Sequence, residues 1–579
     1  MKNVVKSASL CIGFSLCLFS CGGEKNSGSE EAPSTTESVI TEGAIQFHDE
    51  TLERGIDFAH VANRTEKRWM PEIMGSGLGV ADFNRDGAPD LYLVGGGSIG
   101  HPNRSAASRD RLFLNDGNGQ FTDVSKAWKV EGVDYGMGVA CGDYDNDGWT
   151  DILLTGYGGG ERLLRNTGSA FEDVTHQVGL DRELTWGTGA GFFDADGDGD
   201  LDIYVVRYVD FDLDSATTCW SNGRPVPCSP QVYEGLNDTL WINKGDGTFR
   251  DAGLASGVGT AVGKGLALTL GDLDWDGDVD IYVANDTTAN QLYMNDGKAV
   301  FKDAAAISGV AYSETGSAAA GMGADFSDVD GNGTQDIVCA NFQNETTNIY
   351  LQGARGAYRD KSFAMGVGAS ARKRLSFGLD FFDVDNDGDE DLFVANGHVE
   401  DNIALVSASV TFAQQNSLFL LDENRRFEDI SDISGAGLLQ KDVSRAVATA
   451  DFDGDGLLDL AVTTNDGPLR LLMNRSKPVS GSSAILWLEG KQSNRSAIGA
   501  RIETETLRRE VRGASSYLAH CDPRIHIGLN GKANIPRMRI LWPSGLIQEI
   551  EDLKAGAYHV VEGQAPKSFI PGASVIAPK

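Results

Sequence analysis

Seven times the chain writes the same nine-residue frame, D-x-[DN]-x-[DN]-G-x-x-D, and each copy runs straight into an apolar stretch. The copies are DFNRDGAPD, DYDNDGWTD, DADGDGDLD, DLDWDGDVD, DVDGNGTQD, DVDNDGDED and DFDGDGLLD. Frame positions 1, 3, 5 and 9 are Asp82, Asn84, Asp86 and Asp90 in the first copy and Asp143, Asp145, Asp147 and Asp151 in the second. They are Asp194, Asp196, Asp198 and Asp202 in the third, Asp272, Asp274, Asp276 and Asp280 in the fourth, and Asp328, Asp330, Asn332 and Asp336 in the fifth. The last two copies supply Asp383, Asp385, Asp387 and Asp391, then Asp451, Asp453, Asp455 and Asp459. Position 6 is always Gly. Such a repeat constrains the fold more than composition does, because one short unit cannot bury its own apolar face and must stack on its neighbours.

The spacing has a mechanical reading. Side chains at 1, 3 and 5 fold round one point, Gly at 6 permits a sharp left-handed turn, and a carbonyl at 7 with the carboxylate at 9 closes a cage. Hard oxygen ligands in that number suit Ca²⁺ better than octahedral Mg²⁺ and exclude soft metals, so up to seven Ca²⁺ are expected. An EF-hand opens in the same way but needs a bidentate Glu at position 12. Here that position holds Leu93, Leu154, Val205, Val283, Cys339, Val394 and Val462, none of which can ligate. The runs after position 9, such as LYLV, IYVV and LFVA, are strand-like, so each site is a loop within a β-hairpin. Acidic Gly-rich turns are also common on solvated hairpins and need bind nothing, but a solvated turn does not require a carboxylate or amide at four fixed offsets.

A second hairpin follows most loops, as in LFLNDGNGQFTDVS and LYMNDGKAVFKDA, and a small-residue run such as GLGVA or GTGAGFF precedes most of them. The unit therefore has four strands. Successive first aspartates lie 61, 51, 78, 56, 55 and 68 residues apart, as expected for propeller blades with insertions. The seventh unit stops without its F-x-D strand, while IQFHDET, at 45–51, precedes the first loop and carries Phe47 and Asp49. The expected fold is all-β: a seven-bladed propeller over 44–478, closed by chain ends that share a blade, followed by a small β-rich domain over 483–563 and a tail over 564–579.

The formal charge of −35 argues against nucleic acid and for cations. Residues 1–20 read as an export signal, with Lys2 and Lys6 ahead of an apolar core too short to span a bilayer. The stretch ends in LFSC, similar to a lipobox, which predicts lipidation of Cys21; a plain secretory signal is the alternative. Residues 21–43 are polar and Pro-containing, a flexible tether. The protein is thus expected to be exported, as an outer-membrane or cell-surface lipoprotein touching the membrane only through its anchor, or else periplasmic or secreted. Cys219 and Cys228 share a Gly/Pro-rich loop and predict a disulfide, whereas Cys141 and Cys339 lie in apolar runs.

These phrases, with DGDVDIYVANDTTANQLYMNDG and DEDLFVANGHVEDN, resemble the FG-GAP or VCBS repeats of integrin-α-like propellers, and in particular the cartilage-acidic-protein-like group. LEGKQSNRSAIGARIETE, SSYLAHCDPRIHIGLN and ILWPSGLIQEI look like the ASPIC/UnbV domain found beside those repeats. The resemblance covers about residues 45–563. HIGLN stands where that family usually has an aromatic and a further Gly, and no EGF-like module follows, which suits a bacterial member. The likeness implies a calcium-stabilised binding or adhesion protein that recognises a protein or glycan. The association of UnbV-like proteins with natural-product gene clusters keeps a second reading open, an enzyme acting on carbohydrate or a secondary metabolite.

Catalytic signals are weak. GGSIG, at 96–100, fits a nucleophile elbow, but no helix follows, and such a match is expected by chance in a chain with 72 Gly. No catalytic residue is assigned. His520, Asp522 and Arg524 read as a solvated turn, and Trp487 and Trp542 as core of the small domain. The insertion over 207–237, carrying Trp220, Arg224 and Tyr233 beside the two cysteines, is too long for a simple connection and is the candidate partner-binding segment.

Overall fold

A computed structural model describes residues 44–97, 99, 109–132, 135–180, 185–221, 223–477 and 482–573. The leader, Cys21 and the tether lie outside the described residues, as does part of the GGSIG stretch.

Between Phe47 and Asn474 the chain folds into seven antiparallel sheets, each with four strands of its own, and blade n is named here for the frame it carries. Blade 2 is typical: Tyr135–Gly142, Asp151–Tyr157, Arg162–Asn166 and Phe171–Asp173 pair in sequence order. The frame always forms the turn between first and second strands. The first strands, from Leu78–Ala81 of blade 1 to Ser444–Ala450 of blade 7, touch their neighbours all the way round, so they line the axis of a closed seven-bladed propeller. Closure uses the chain ends as the repeats require. Phe47–Asp49 is the outer strand of blade 7, with Phe47 opposite Asn474 and Asp49 opposite Leu472. A closed ring leaves no open sheet at its ends to invite pairing with another chain.

The C-terminal domain consists of two further four-stranded sheets. In one, Ser483–Glu489 pairs in parallel with Gly556–Val561 and antiparallel with Ile525–Gly528. In the other, Asn534–Leu541 pairs with Arg501–Glu503 and Ile547–Lys554. Ordered structure continues past residue 563, because Lys567–Ser568 adds to the first sheet opposite His559 and Tyr558. This domain packs with the propeller in one compact unit. Among the described residues no helix is long and apolar enough to cross a membrane, which says nothing of β-barrels.

Phe47 is fully buried at the seam of blade 7. Phe47→Ala should lower stability by about 3–5 kcal/mol, through lost burial and the cavity left in the closing blade. Chemical denaturation followed by tryptophan fluorescence measures it, and an unchanged midpoint would mean that the N-terminal strand does not close the ring.

Candidate metal centres

Each frame folds into the same turn by the same backbone bonds. The position-1 carboxylate accepts from the N–H of position 6 in all seven copies, at 2.7 Å from Gly148 to Asp143 and 2.9 Å from Gly388 to Asp383. Position 5 accepts from the N–H of position 7, again in all seven. Gly at position 6 has φ between 85° and 106°, the left-handed turn expected from sequence. Position 4 is left-handed as well, at Arg85, Asn146, Gly197, Trp275, Gly331, Asn386 and Gly454, which the spacing argument missed although five of these are the Gly and Asn residues that tolerate it.

Position 9 does something the sequence reading did not anticipate. One oxygen of each of these aspartates accepts from the N–H of position 2, as from Tyr144 to Asp151 at 3.2 Å. The other accepts from the backbone at the end of the third strand, as from Asn166 at 2.7 Å. The side chain of that third-strand residue then reaches into the preceding blade. Asn115, Asn166, Asn243, Asn295, Gln352 and Asn474 donate to the position-2 carbonyls of Phe452, Phe83, Tyr144, Ala195, Leu273 and Val384 respectively. Six of the seven blade junctions carry this bond; blade 6 has Leu421 there and lacks it. The Asn that recurs at the end of the third strand, four times as N-x-G, was the available signal, and it was read only as a turn.

The carboxylates converge. Ligand oxygens of Asp143, Asp145 and Asp151 lie within 4.8 Å of one another, as do those of the equivalent trios Asp194, Asp196, Asp202; Asp328, Asp330, Asp336; and Asp383, Asp385, Asp391. In the fourth copy the trio is Asp272, Asp274 and Asp276 instead. The donor set fits a hard cation on two observations. Oδ1 of Asp196, of Asp328 and of Asp453 is buried without a hydrogen-bond partner, a costly state for a carboxylate oxygen unless a cation meets it. Burial, reinforced by neighbouring carboxylates, also pushes Asp143 and Asp383 up to about 8 and Asp451 up to about 7, and a bound cation would reverse that.

With this geometry in hand, comparison with known families is decisive. The FG-GAP-like repeat matches residues 82–154, 143–205, 272–339 and 328–394, the FG-GAP repeat matches 444–485, and the ASPIC and UnbV family matches 490–568. The chain is an FG-GAP repeat protein with a C-terminal UnbV/ASPIC domain. It is similar to cartilage acidic protein 1 of Homo sapiens, 24% identical over 434 residues, and of Mus musculus, 24% identical over 506. These alignments cover 71% and 82% of this chain but only 60% and 71% of the relatives' own length. Among solved structures it is similar to an Agrocybe aegerita lectin that recognises non-reducing terminal N-acetylglucosamine, at 17% identity and a TM-score of 0.37, covering 67% of this chain and 85% of that one. Saccharomyces cerevisiae Sqt1 gives 9% identity and a TM-score of 0.38, covering 76% and 100%.

The UnbV/ASPIC domain sits on the ends of the FG-GAP loops. Arg524 donates to Gly87 O, Ser496 Oγ accepts from Asp143 N, Arg508 donates to Gly333 O, Arg509 to Gly388 O, and Ser483 to Gly456 O. Gln492 abuts Gly199, so all seven turns are touched once Arg501 is counted, which bonds Asp272 in the fourth. That arginine competes with a cation for the position-1 carboxylate. Trp487 is half-buried against His559, with the Arg85 guanidinium 5.0 Å from its ring, so it seats the domain on the first loop, whereas Trp542 is core as expected.

The expected solvated turn is a plug. Residues 512–521 enter the propeller axis, where Ala519–His520 pairs in parallel with blade 1 and Ser516 exchanges backbone bonds with Ala324 of blade 5. Arg512 Nη1 binds both oxygens of buried Asp325, at 2.8 and 2.9 Å. Glycines make room: a Cβ on Gly77 would lie 2.0 Å from Leu518 O, and one on Gly513 2.0 Å from Phe192 O. His520 is buried and its pKa is depressed by burial to about 4, and Cys521 lies 3.4 Å from Asp380. Arg524 is tied to Asp522.

Cys219 and Cys228 form a disulfide, while Cys141 and Cys339 are buried free thiols. Trp220 is 64% exposed and Arg224 is exposed beside it on a two-stranded hairpin; Tyr233 instead packs on Phe211 at 5.5 Å.

Two outcomes follow. Asn295→Ala strands the buried carbonyl of Val279 and removes one of the two donors to Ala195 O, which keeps its bond from Ala299 N, and should cost about 1–3 kcal/mol, read by denaturant unfolding. Without a cation, the raised carboxyls bind protons more tightly folded than unfolded. Their contribution is present below the ordinary carboxylate range and is lost as pH rises through about 7 to 8, so the Tm in chelator should fall between about pH 5 and pH 8. Calorimetry with Ca²⁺ should show no such fall over that range, because the ion needs the ionised form.

Proposed function

We propose that the protein is an exported, Ca²⁺-stabilised binding or adhesion protein, held at the membrane by a lipid on Cys21, that uses its propeller as a rigid platform for a protein or glycan partner. The observation that carries this reading is the set of buried, mutually repelling carboxylates at every frame, some with unpartnered oxygens, all beneath a domain that covers that end of the ring. Asp82, Asn84, Asp86 and Asp90, with the matching residues of the other six frames, would hold the ions. The ion supplies charge neutralisation and rigidity. The chain's own contribution is to preform each turn through backbone N–H bonds, so little ordering remains when the ion arrives. Recognition falls to the other end of the ring, where exposed Trp220 and Arg224 project from the disulfide-closed insertion.

The enzymatic reading needs a pocket with a usable acid or base away from the loops. A cavity does open there, and its histidine is His398. Nδ1 of His398 accepts from Glu400 N–H at 3.0 Å, which leaves the proton on Nε2. Burial and then the Arg445 charge hold its pKa down at about 4. A ring fixed as a neutral donor is suited to hold a ligand acceptor rather than to move a proton itself.

Calorimetric melting tests the calcium role. Ca²⁺ at about 1 mM should raise the Tm by about 10 °C or more over chelator, and Mg²⁺ by far less. Equal melting in all three would remove the structural role of the ion. A combined glycan and protein array, probed with the Ca²⁺-loaded protein and with a Trp220→Ala, Arg224→Ala variant, reports on the platform: binding lost in the variant supports the insertion as the contact.

A further inference from the structure

The second strands end, and the first strands begin, at the face remote from the metal loops. Segments from five blades and the long insertion surround a cavity of about 450 Å³ there. The plug closes the axis from the other side: Tyr517, fully buried, packs edge-on against Phe377 at 5.0 Å and donates to Met74 O at 3.1 Å. The propeller therefore has a blind pocket rather than a through-channel. Its disulfide-closed wall, Pro227 to Pro230, comes from the insertion singled out in the sequence.

The lining has two kinds of surface. Met70, Met74, Met322, Phe342 and Phe377 supply sulfur and aromatic faces. Three carboxylates share the pocket with them: Asp286, Glu345 and Glu400. Asp286 accepts from Tyr208 Oη at 2.6 Å and Glu345 from Ala320 N at 2.9 Å, while Glu400 Oε1, Thr287 Oγ1 and His398 Nε2 are buried without partners. Cations near the pocket are committed elsewhere. Lys264 Nζ donates to Pro230 O at 2.8 Å, Arg68 pairs with Asp401, and Arg445, beneath the Phe377 ring, spends its donors on the carbonyls of Ile73, Gly397, Ser444 and His398.

We infer that this pocket binds an ammonium group carried on an apolar body, either a free amine or a lysine side chain presented by a partner, with Glu400 and Glu345 taking the charge and the Met and Phe walls taking the body. A cation there would supply donors to the unpartnered acceptors, and His398 Nε2–H is left to meet a carbonyl or hydroxyl of the same ligand. Burial raises Asp286 to about 7 and also raises Glu345 and Glu400, as expected for carboxyls waiting in an apolar site for a counter-charge.

The test is isothermal titration of the full, Ca²⁺-loaded chain with 2-phenylethylamine, its neutral isostere 2-phenylethanol, and an N-acetylated tetrapeptide amide containing one lysine. Saturable binding of the amine or of the peptide is expected, with the alcohol weaker by about tenfold or more. Amine binding identifies a small-molecule site, and peptide binding alone identifies a protein partner's lysine. Glu400→Gln and Glu345→Gln should each weaken the bound probe by about tenfold at unchanged Tm, and Met322→Trp should abolish binding by filling the cavity. Absence of saturable binding by both cationic probes up to about 10 mM, or an alcohol that binds as tightly as the amine, overturns the inference. It stands apart from the calcium reading, since amine binding could survive where the Ca²⁺-dependent rise in melting failed.

Discussion

Like charge gathered at one end of a closed ring is the condition the rest of this structure answers. Each frame brings three or four carboxylates or amides into one small turn, and burial denies them the water that would screen their repulsion. Backbone N–H groups take part of the load, since position 1 is held by the Gly at position 6 and position 9 by two N–H donors from different strands. What remains calls for positive charge, which the arginines of the UnbV/ASPIC domain that press on the same turns supply in part and which a hard cation of the kind the donor sets fit would supply further. Arg501 on Asp272 is the place where the two overlap.

The two ends of the propeller are consequently different in kind. The loop end is covered, and its axis is filled by a segment whose tip reaches Met74 on the far side. The other end keeps an open pocket with apolar walls and acidic groups, bordered by the disulfide-closed insertion. On the proposed reading, rigidity and recognition are thereby separated by the length of the strands. A partner bound at the open end need not disturb the carboxylates, and the plug links the floor of the pocket to the domain that caps the loops.

Much of this was legible beforehand, for reasons that can be named. The turn at Asp143, Asp145, Asp147 and Gly148 is a local structure, written by residues a few positions apart, and it recurs as expected. The displaced strand at Phe47 could be found because a repeat that lacks one of its parts must borrow it, and blade 7 is completed in that way. The Cys219 and Cys228 pair was readable from spacing and surroundings. The plug was not. SSYLAHCDPR looks like a polar turn because nothing in those letters says that Gly77, hundreds of residues away, leaves a backbone-sized gap for it. The blade-to-blade bonds from Asn166 and its equivalents were invisible for a related reason: N-x-G has a sufficient local explanation as a turn, and the partner carbonyl lies in another repeat.

By itself, then, the sequence determined the repeat, the turn chemistry, the number of blades and the way the ends meet, because all of these depend on periodicity and on interactions within a few residues. Only the tertiary structure decided which end of the ring is filled, that His520 is interior and Cys521 lies beside Asp380, and that Asp286, Glu345, Glu400 and His398 from three different blades face one cavity. Those outcomes depend on groups far apart in the chain meeting across the axis, and no local pattern records where a closed ring will place them.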